Sequence, residues 1–337
     1  MNVRANMLAK GLADLGWIAV LVLESPLEPE QEYVQPGVQY VTTGVGIKGM
    51  LSRVRALKDL SPSFVHYLNP MLSAFMMEKI ARGKWVSIGD WEDWHTNPEN
   101  PSIHSRTQRL ADRWFIRNCG LPIVCSRWLQ KEFRSRFGRS DCLYLPYAET
   151  LPPAKAVDGG LFAEPTAVFM GALHPHWNHR ILIEAARIMK GESGFKPPII
   201  FIGDGKDRQS CIELSRKYGL DNVRFTGRLG DSEMTEHLRS ASVLLFPIED
   251  NMLNRSRCPF KVFHYAASKR PIITSPVGEV REFLGNKAIY CDGSPEAFAS
   301  LVEQSLKTPL PNVEYGIEKH TWTRRAVELD ARLEQCL

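Results

Sequence analysis

Short apolar runs alternate along the chain with stretches whose apolar positions recur every three to four residues. Runs of three to six residues are typical of buried strands, and the longer periodic stretches are typical of amphipathic helices. In the first half the predicted strands are 18–23, 38–42, 64–67, 85–88 and 121–125, and the predicted helices are 2–16, 49–60, 70–81, 102–118 and 127–137. This alternation predicts parallel sheets with helical crossovers.

The pattern breaks at 149–165, where prolines and glycines predict a linker, and then restarts. The second half has predicted strands at 167–170, 199–202, 223–226, 243–246, 272–274 and 288–290, and predicted helices at 179–190, 207–218, 231–240, 260–268, 279–284, 295–306 and 321–335. We predict an α/β protein with a domain at 1–150, a linker at 151–165, a domain at 166–320 and a final helix at 321–337. Two doubly wound, Rossmann-like domains would face a cleft, where ligands of such folds bind.

The chain opens on a helix, 2–16, although a doubly wound domain normally places a strand before its first helix. We therefore expect the first domain to lack its first strand. An absent central strand would leave an unpaired sheet edge and a cleft that is more open on that side. Two explanations stay open: a start upstream of residue 1, or a shortened protein of weaker activity.

Composition excludes several classes of protein. Hydrophobic residues make up 44% and charged residues 24% of the 337 residues, which is ordinary for a globular chain. The longest apolar run near the start, 17–23, is too short to cross a membrane, and the N-terminus does not resemble a signal peptide. Seven unpaired cysteines without a CxxC motif predict reduced thiols in a cytoplasmic protein. A net charge of +4 permits an anionic substrate or membrane surface, and we expect no nucleic-acid partner.

The strongest motifs stand at the ends of the second-half strands. They are FMGAL at 169–173, FIGDG at 201–205, NVRFTGR at 222–228, SVLLFP at 242–247, CPFKVFHYAA at 258–267 and VGEVRE at 277–282. This ordered series resembles the nucleotide-sugar-binding domain of glycosyltransferase family 4, which has the GT-B fold, over residues 165–335. DWEDW at 90–94 more loosely resembles the acceptor domain of the same enzymes.

The resemblance implies transfer of a sugar from a nucleoside diphosphate sugar to a hydroxyl acceptor, such as a glycan or a lipid-linked acceptor of the cell surface. It also implies a retaining, metal-independent reaction without a cofactor, and a final helix that crosses back to the first domain. The residues implied at the donor are Gly171, Ala172, Gly205, Lys206, Gly227, Arg228, Lys261, His264, Val277, Gly278 and Glu279. Glycine turns and helix N-termini offer backbone N–H groups to phosphates, and Lys261 would neutralise the leaving diphosphate.

The sequence departs from the family at four positions. Ser256 and His264 stand where two glutamates are usual, and Ala172 and Trp177 stand where an arginine and a lysine are usual. His264 would bind a ribose hydroxyl or be a half-buried helix residue. Because of these departures, the sequence does not identify the donor substrate.

The acidic cluster after the strand at 85–88 supplies the candidate catalytic residues, Asp90 and, as the alternative, Asp93. A base there needs to reach the acceptor hydroxyl. Trp91 and Trp94 would stack on a sugar, or else anchor a solvated loop.

Three further patterns have weaker interpretations. The glycines of 44–49 match a dinucleotide fingerprint without the expected acidic residue, so an acceptor-side loop is favoured over a dehydrogenase. The histidines His174, His176 and His179 suggest a zinc site that lacks supporting ligands, and we predict no metal. The basic helix at 127–139 would touch anionic lipid at the inner face of the membrane, or pack in the core.

Two other functions remain as alternatives: a nucleotide-sugar epimerase of the same fold, and a shortened, non-catalytic nucleotide-binding homologue.

Overall fold

The computed structural model describes residues 3–25, 34–94, 103–149, 160–174, 178–308 and 310–336. They divide into two units. Unit 1 comprises 1–148, 255–258 and 319–337, and unit 2 comprises 149–254 and 259–318. Most of the predicted linker, 151–159, lies outside the described residues.

Unit 1 begins with a helix followed by two strands that pair only with each other. Its elements are α1 (Val3–Asp14), β1 (Ala19–Leu23), β2 (Val38–Thr42), α2 (Gly46–Leu60), β3 (Phe64–Leu68), α3 (Leu72–Ala81), β4 (Val86–Trp91), α4 (Ile103–Asn118), β5 (Leu121–Val124), α5 (Arg127–Phe137) and β6 (Leu143–Tyr144). Strands β1 and β2 form one parallel sheet, and β3-β4-β5-β6 form another. Within the described residues no strand joins the two sheets, so β3 is an edge strand, in keeping with the predicted unpaired edge.

The C-terminal helix of the chain completes the core of unit 1. Leu8 of α1 and Leu121 and Ile123 of β5 are buried together with Trp322 and Leu329 of the last helix, α13 (Trp322–Glu334). Helices α1 and α13 approach closely: a Cβ placed on Gly11 would lie only 2.4 Å from the Cβ of Ala326, so the contact leaves no room for a side chain at Gly11. The chain therefore returns to unit 1 after leaving it.

Unit 2 is a single parallel sheet with helices on its connections. Its elements are β7 (Ala167–Met170), α6 (Ile181–Glu192), β8 (Ile199–Ile202), α7 (Arg208–Lys217), β9 (Val223–Gly227), α8 (Asp231–Ser240), β10 (Val243–Phe246), α9 (Met252–Ser256), α10 (Lys261–Ala267), β11 (Ile272–Thr274), α11 (Gly278–Leu284), β12 (Ile289–Tyr290) and α12 (Pro295–Lys307). Ser256, the last residue of α9, belongs to unit 1. Short 3₁₀ turns at Asn178–Arg180 and Ile317–Lys319 complete the description.

The strand order of unit 2 is β12-β11-β10-β7-β8-β9. Chain order therefore reverses between β7 and β10, which are neighbours in the sheet. The crevice outside the carboxyl ends of the strands at such a switch point is where open α/β sheets bind ligands. Strands β7, β8 and β10 are fully buried apolar runs, as expected for the part of a sheet that is covered on both faces.

The predicted elements agree closely with the structure, and two short ones were missed. Strand β6 has two residues and helix α9 has five, which is too few to produce a recognisable period. The sequence prediction also ended the strand after helix α3 at residue 88, whereas β4 continues to Trp91.

Candidate functional site

The ammonium group of Lys261 lies at the switch point of unit 2. It is 4.9 Å from the ring centroid of Phe169, on β7, and 5.0 Å from that of Phe246, on β10. A Cβ placed on Gly171, just after β7, would lie 2.3 Å from Nζ, so the ammonium rests against backbone that has no side chain. The structure therefore places a cation between the two strands whose order reverses.

Backbone groups beside Lys261 are held in a tight arrangement that depends on glycine. Gly203 has a φ of 128°, and a Cβ there would lie 2.2 Å from the carbonyl oxygen of Gly171. A Cβ on Gly205 would lie 2.1 Å from the carbonyl oxygen of Leu173. The N–H of Gly203 donates to the carbonyl of Gly227 at 2.7 Å, which links the loops after β8 and β9. These positions need glycine because backbone passes against backbone.

The other residues predicted at the donor lie at the carboxyl ends of the same sheet and differ in exposure. Ala172, Lys206 and Arg228 are exposed, whereas Val277 and Glu279 are buried. Gly278 begins α11 with a φ of 49°. The donor roles of these residues are predictions from the family resemblance.

His264, on the buried face of α10, has a partner that sequence reasoning missed. Its Nδ1 lies 2.7 Å from Oε1 of Glu149, and both side chains are largely buried. Because an ionised carboxylate only accepts, Nδ1 carries the proton and Nε2 is the ring nitrogen left for another contact. The ring of Phe260 packs edge-on against the imidazole at 4.4 Å between centroids. No sequence pattern joins residues that are 115 positions apart.

A buried charged cluster supports the β7 and β8 loops. Asp207 accepts hydrogen bonds from His179 at 2.8 Å and from Nε of Arg180 at 2.7 Å. The Arg180 guanidinium and the His179 ring outweigh burial and hold the pKa of Asp207 at about 2. Burial lowers the pKa of His179 despite the carboxylate beside it.

His179, Asp207 and Cys211 lie close enough together to surround an ion. The carboxylate of Asp207 is already engaged by Arg180, which favours an ion pair over the histidine-based zinc site considered from sequence. His176, a member of that motif, lies outside the described residues, as does Trp177.

In unit 1, Asp90 is the last residue but one of β4 and is fully buried. Its Oδ2 accepts from Nε of Arg4 at 2.8 Å and its Oδ1 accepts from Nη2 of Arg4 at 3.0 Å, while Nε2 of His66 lies 3.0 Å from Oδ2. Burial alone would raise the pKa of Asp90, but Arg4 and His66 hold it below its usual value. A carboxylate bound on both oxygens and held ionised is poorly placed to take a proton, so this geometry favours Asp93 among the two predicted candidates.

Asp93 lies near the guanidinium of Arg257, and its half-buried position differs from that of Asp90. Its neighbour Glu92 accepts from the side-chain amide of Asn69 at 3.0 Å and from the hydroxyl of Tyr147.

The prediction that two tryptophans stack on a sugar is wrong. Trp91 and Trp94 are 2% and 4% exposed, and both indole N–H groups donate to Asp112, at 2.6 and 3.1 Å. Their rings pack with Phe133 in the core between α4 and α5. They anchor the loop, which was the alternative interpretation.

Ser256, at the first of the two glutamate positions, is fully buried in unit 1. Its Oγ accepts from the N–H of Trp94 at 3.0 Å, and its carbonyl accepts from the Ser126 hydroxyl at 2.6 Å. The residue therefore holds a chain segment in place.

Gly44 lies between β2 and α2, Gly46 begins α2, and Gly49 lies in its first turn. The carbonyl of Gly44 accepts from Arg53 at 2.9 Å, and a Cβ on Gly49 would lie 2.0 Å from that carbonyl oxygen. This close approach accounts for the glycines without a dinucleotide.

Residues 164–308 match the sequence model of a family described as glycosyl transferases group 1. The match covers less than half of the chain and includes most of unit 2. The resemblance seen in the sequence is confirmed at the level of this group, over the segment that contains the switch point and Lys261.

Solved glycosyltransferase structures of the GT-B fold are similar to this chain over nearly its whole length. Sucrose-phosphate synthase from Thermosynechococcus elongatus has a TM-score of 0.78 at 15% identity, covering 97% of this chain and 91% of its own. HepE from Anabaena, solved with UDP and glucose, has a TM-score of 0.75 at 15% identity, covering 99% and 96%. The lipopolysaccharide outer core galactosyltransferase WaaB has a TM-score of 0.70 at 13% identity, covering 100% and 97%. No curated protein matches in sequence. The predicted GT-B fold is confirmed.

None of the described helices is both long and apolar enough to cross a membrane. None of the seven cysteines, all of which lie in the described part of the chain, forms a disulfide bond.

Proposed function

We propose that the protein transfers a sugar from a nucleoside diphosphate sugar to the hydroxyl group of a glycan or lipid-linked acceptor, with retention of configuration and without a metal. The observation that carries the proposal is Lys261, a cation at the switch point of a group 1 glycosyltransferase domain. Negative charge grows on the leaving diphosphate during transfer, and a fixed cation beside it lowers the barrier. HepE, a protein of the same fold, was solved with UDP-glucose, which makes UDP the first donor base to test.

The donor site divides into three parts in this proposal. Lys261 and the N–H groups around Gly171 and Gly278 hold the phosphates. His264, oriented by Glu149, contacts a ribose hydroxyl through Nε2, and Glu279 meets the sugar. Backbone that is already fixed by glycine contacts loses little entropy on binding, which preserves affinity.

On the acceptor side, we assign Asp93 rather than Asp90 to the contact with the acceptor hydroxyl. Both oxygens of Asp90 are engaged by Arg4, and Asp90 holds the N-terminal end of α1 against β4. Asp90 is therefore a positioning residue in this proposal.

The test is calorimetric titration with UDP, GDP, ADP and CMP, followed by transfer from the matching radiolabelled nucleotide sugar. We expect one diphosphate to bind and Lys261→Ala to weaken it roughly 10- to 100-fold, the value of a charge-assisted hydrogen bond. Lys217→Ala, an exposed lysine at the end of α7, is the matched control and should bind normally. Absence of binding by every diphosphate would refute the proposal. Acceptor-independent change of the sugar would favour an epimerase, and binding without turnover would favour a non-catalytic protein.

A lipid-linked acceptor is supported by the surface of two helices in unit 1 that pack on each other, α2 and α3. Eight of the fifteen exposed large hydrophobic residues of the described chain fall within 45–80. They are Val45, Ile47, Leu51, Leu60, Met71, Leu72, Met76 and Ile80. The exposed cations among them and just beyond are Lys48, Arg55, Lys58, Lys79, Arg82 and Lys84. We call this set the α2–α3 face and propose that it rests on an anionic membrane surface.

The basic helix considered for this role from sequence, α5, is less suited to it. Its apolar residues Leu129 and Phe133 are fully buried in unit 1, so they are not available to lipid.

Sedimentation with phosphatidylglycerol vesicles tests the α2–α3 face. The double variant Ile47→Ser with Leu51→Ser should lose most vesicle binding, because exposed apolar side chains contribute through burial in the bilayer interface. The control carries Leu310→Ser with Val327→Ser, which are exposed hydrophobic residues elsewhere. Equal loss in both proteins, or no binding by the parent, would count against the surface.

A further inference from the structure

An open groove in unit 1 lies away from every residue assigned so far. It encloses about 660 Å³ between the N-terminal end of α5, strand β6 and helix α13, whose lining residues extend to Arg332 near its C-terminal end. Such a volume accommodates a ligand of the size of a phosphorylated sugar.

The groove is lined by more positive than negative side chains. The cations are Arg127, Lys319, Arg324, Arg325 and Arg332, and the carboxylates are Asp141 and Glu328. Asp141 is already bound by two hydrogen bonds from Arg139, at 2.8 and 2.7 Å, and Arg139 is not part of the lining. The Asp141 carboxylate is therefore mainly engaged from outside the groove, although Arg332 also helps to lower its pKa, whereas Glu328 pairs with Arg324 and Arg325 of the lining.

The partners of Arg324, Arg325 and Arg332 show that carboxylates neutralise little of the positive charge on these three side chains. Glu328 is shared between Arg324, at 3.3 Å, and Arg325, at 2.9 Å. Arg332 donates to the neutral side-chain oxygen of Gln335 and to the backbone carbonyl of Asp141 instead of to a carboxylate. An excess of fixed cations around one concave surface attracts an anion.

Arg325 contributes a buried charged side chain to the lining of the groove. It is 5% exposed, and its Nε has no hydrogen-bond partner among the described residues. Its Nη2 donates to Nδ1 of His320 at 2.7 Å. Because a guanidinium can only donate, Nδ1 is unprotonated and Nε2 of His320 carries the hydrogen of the neutral ring. A buried, incompletely paired guanidinium is costly unless something accepts from it.

The positive end of the dipole of helix α13 adds to the positive electrostatic potential of the groove. Helix α13 has thirteen residues and begins at Trp322, with Thr321 as its N-cap, and its first turn carries Arg324 and Arg325. Helix N-termini favour negative charge, so the backbone and the side chains of this turn act in the same direction.

We propose that this groove binds the phosphate group of a sugar-sized ligand, at a site separate from the donor site of unit 2. Arg325 and Arg332 would hold the phosphate from the floor, and the exposed Lys319 and Arg324 would close over it. The aromatic ring of Tyr144, on which the guanidinium of Arg127 stacks at 3.6 Å, offers an apolar face to the sugar.

Calorimetric titration of the full chain with glucose 6-phosphate, inorganic phosphate and glucose tests this site. We expect glucose 6-phosphate to bind and glucose not to bind. The double variant Lys319→Ala with Arg324→Ala should lower the affinity for glucose 6-phosphate at least tenfold, since two charge-assisted contacts are removed. Lys217→Ala with Arg224→Ala removes the same charge from exposed positions of unit 2 and should bind as the parent does.

Three results separate the possibilities. Equal affinity for inorganic phosphate and glucose 6-phosphate would identify the free anion as the ligand and exclude the sugar. Binding no stronger than that of glucose, or equal weakening in both double variants, would overturn the proposal. UDP titration of the same proteins reports on the donor site independently, so failure at the groove is distinguishable from failure of the proposed function.

Discussion

At the carboxyl end of β4 in unit 1, Asp90 is completely buried and bound on both oxygens, whereas at the carboxyl end of β7 in unit 2 the ammonium of Lys261 lies over glycine backbone and two aromatic rings. Both groups stand where parallel strands end. The carboxylate of Asp90 is paired with Arg4 and His66, so its charge serves packing in unit 1, whereas the half-buried ammonium of Lys261 is the cation that we propose contacts a phosphate. Position at a strand end therefore does not by itself indicate function; the partners of the charge decide it.

The largest effect on stability is expected for Arg4→Met, which tests whether the charge of Asp90 serves packing. Removal of one member of a buried ion pair leaves the carboxylate of Asp90 uncompensated, and we expect unfolding free energy to fall by about 3–5 kcal/mol. Urea denaturation followed by circular dichroism measures this loss. Lys261→Met should change the free energy of unfolding by less than about 1 kcal/mol, while it should weaken the binding of UDP.

A rescue experiment keeps the Arg4 prediction specific. Adding Asp90→Asn to Arg4→Met removes the stranded charge and should recover part of the stability. If the single variant is as stable as the parent, the pair has no structural role and Asp90 returns as a candidate base.

A second comparison sets two glycines of unit 2 against each other. Gly203→Ala would push a Cβ into the backbone carbonyl of Gly171, at 2.2 Å, and should cost about 1–3 kcal/mol of stability. Gly171→Ala instead meets the flexible end of Lys261, so we expect a smaller loss of stability and a roughly tenfold loss of UDP affinity. Thermal unfolding and calorimetry separate the two outcomes, and identical behaviour of the variants would contradict the assignment.

A third prediction concerns acid stability in unit 2. The pKa of Asp207 is about 2 in the folded protein, against an ordinary value of 3.8, so its stabilising contribution is complete above about pH 4 and is lost as pH falls through 2. Asp207→Asn should remove about 1–2 kcal/mol at pH 6 and progressively less toward pH 2. Denaturation at several pH values measures the difference, which would be constant if another group were responsible.

The smallest expected effect belongs to Ser256. Ser256→Ala leaves the N–H of Trp94 without its acceptor, and we expect a loss of about 1 kcal/mol in stability with unchanged UDP affinity. A clear loss of UDP affinity instead would return Ser256 to the donor site.

Much of the fold could be predicted from the sequence because its signals are local. The apolar runs at 167–170, 199–202 and 243–246 match strands β7, β8 and β10 at both ends. Such strands are buried on both faces, so every position must be apolar, and this produces an unbroken run.

The candidate site was predicted in part. Lys261 and Gly171 were identified by the motif series, and the structure brings them together. Glu149 beside His264 and Arg4 beside Asp90 were not identified, because each pair joins segments with no shared pattern. The burial of Trp91 and Trp94 was also missed, since the DWEDW motif is the same whether its rings face a ligand or a core.

The sequence by itself predicted the alternation of strands and helices and the series of motifs that matches the group 1 glycosyltransferase family over 164–308. All of these follow from neighbouring residues, through hydrophobic period and turn chemistry. Only the tertiary structure decided which charges pair: Asp90 with Arg4, Asp207 with Arg180, and Glu328 with Arg324 and Arg325. Charge compensation acts over a few ångströms of space, and the residues that supply it are set by how helices and strands pack.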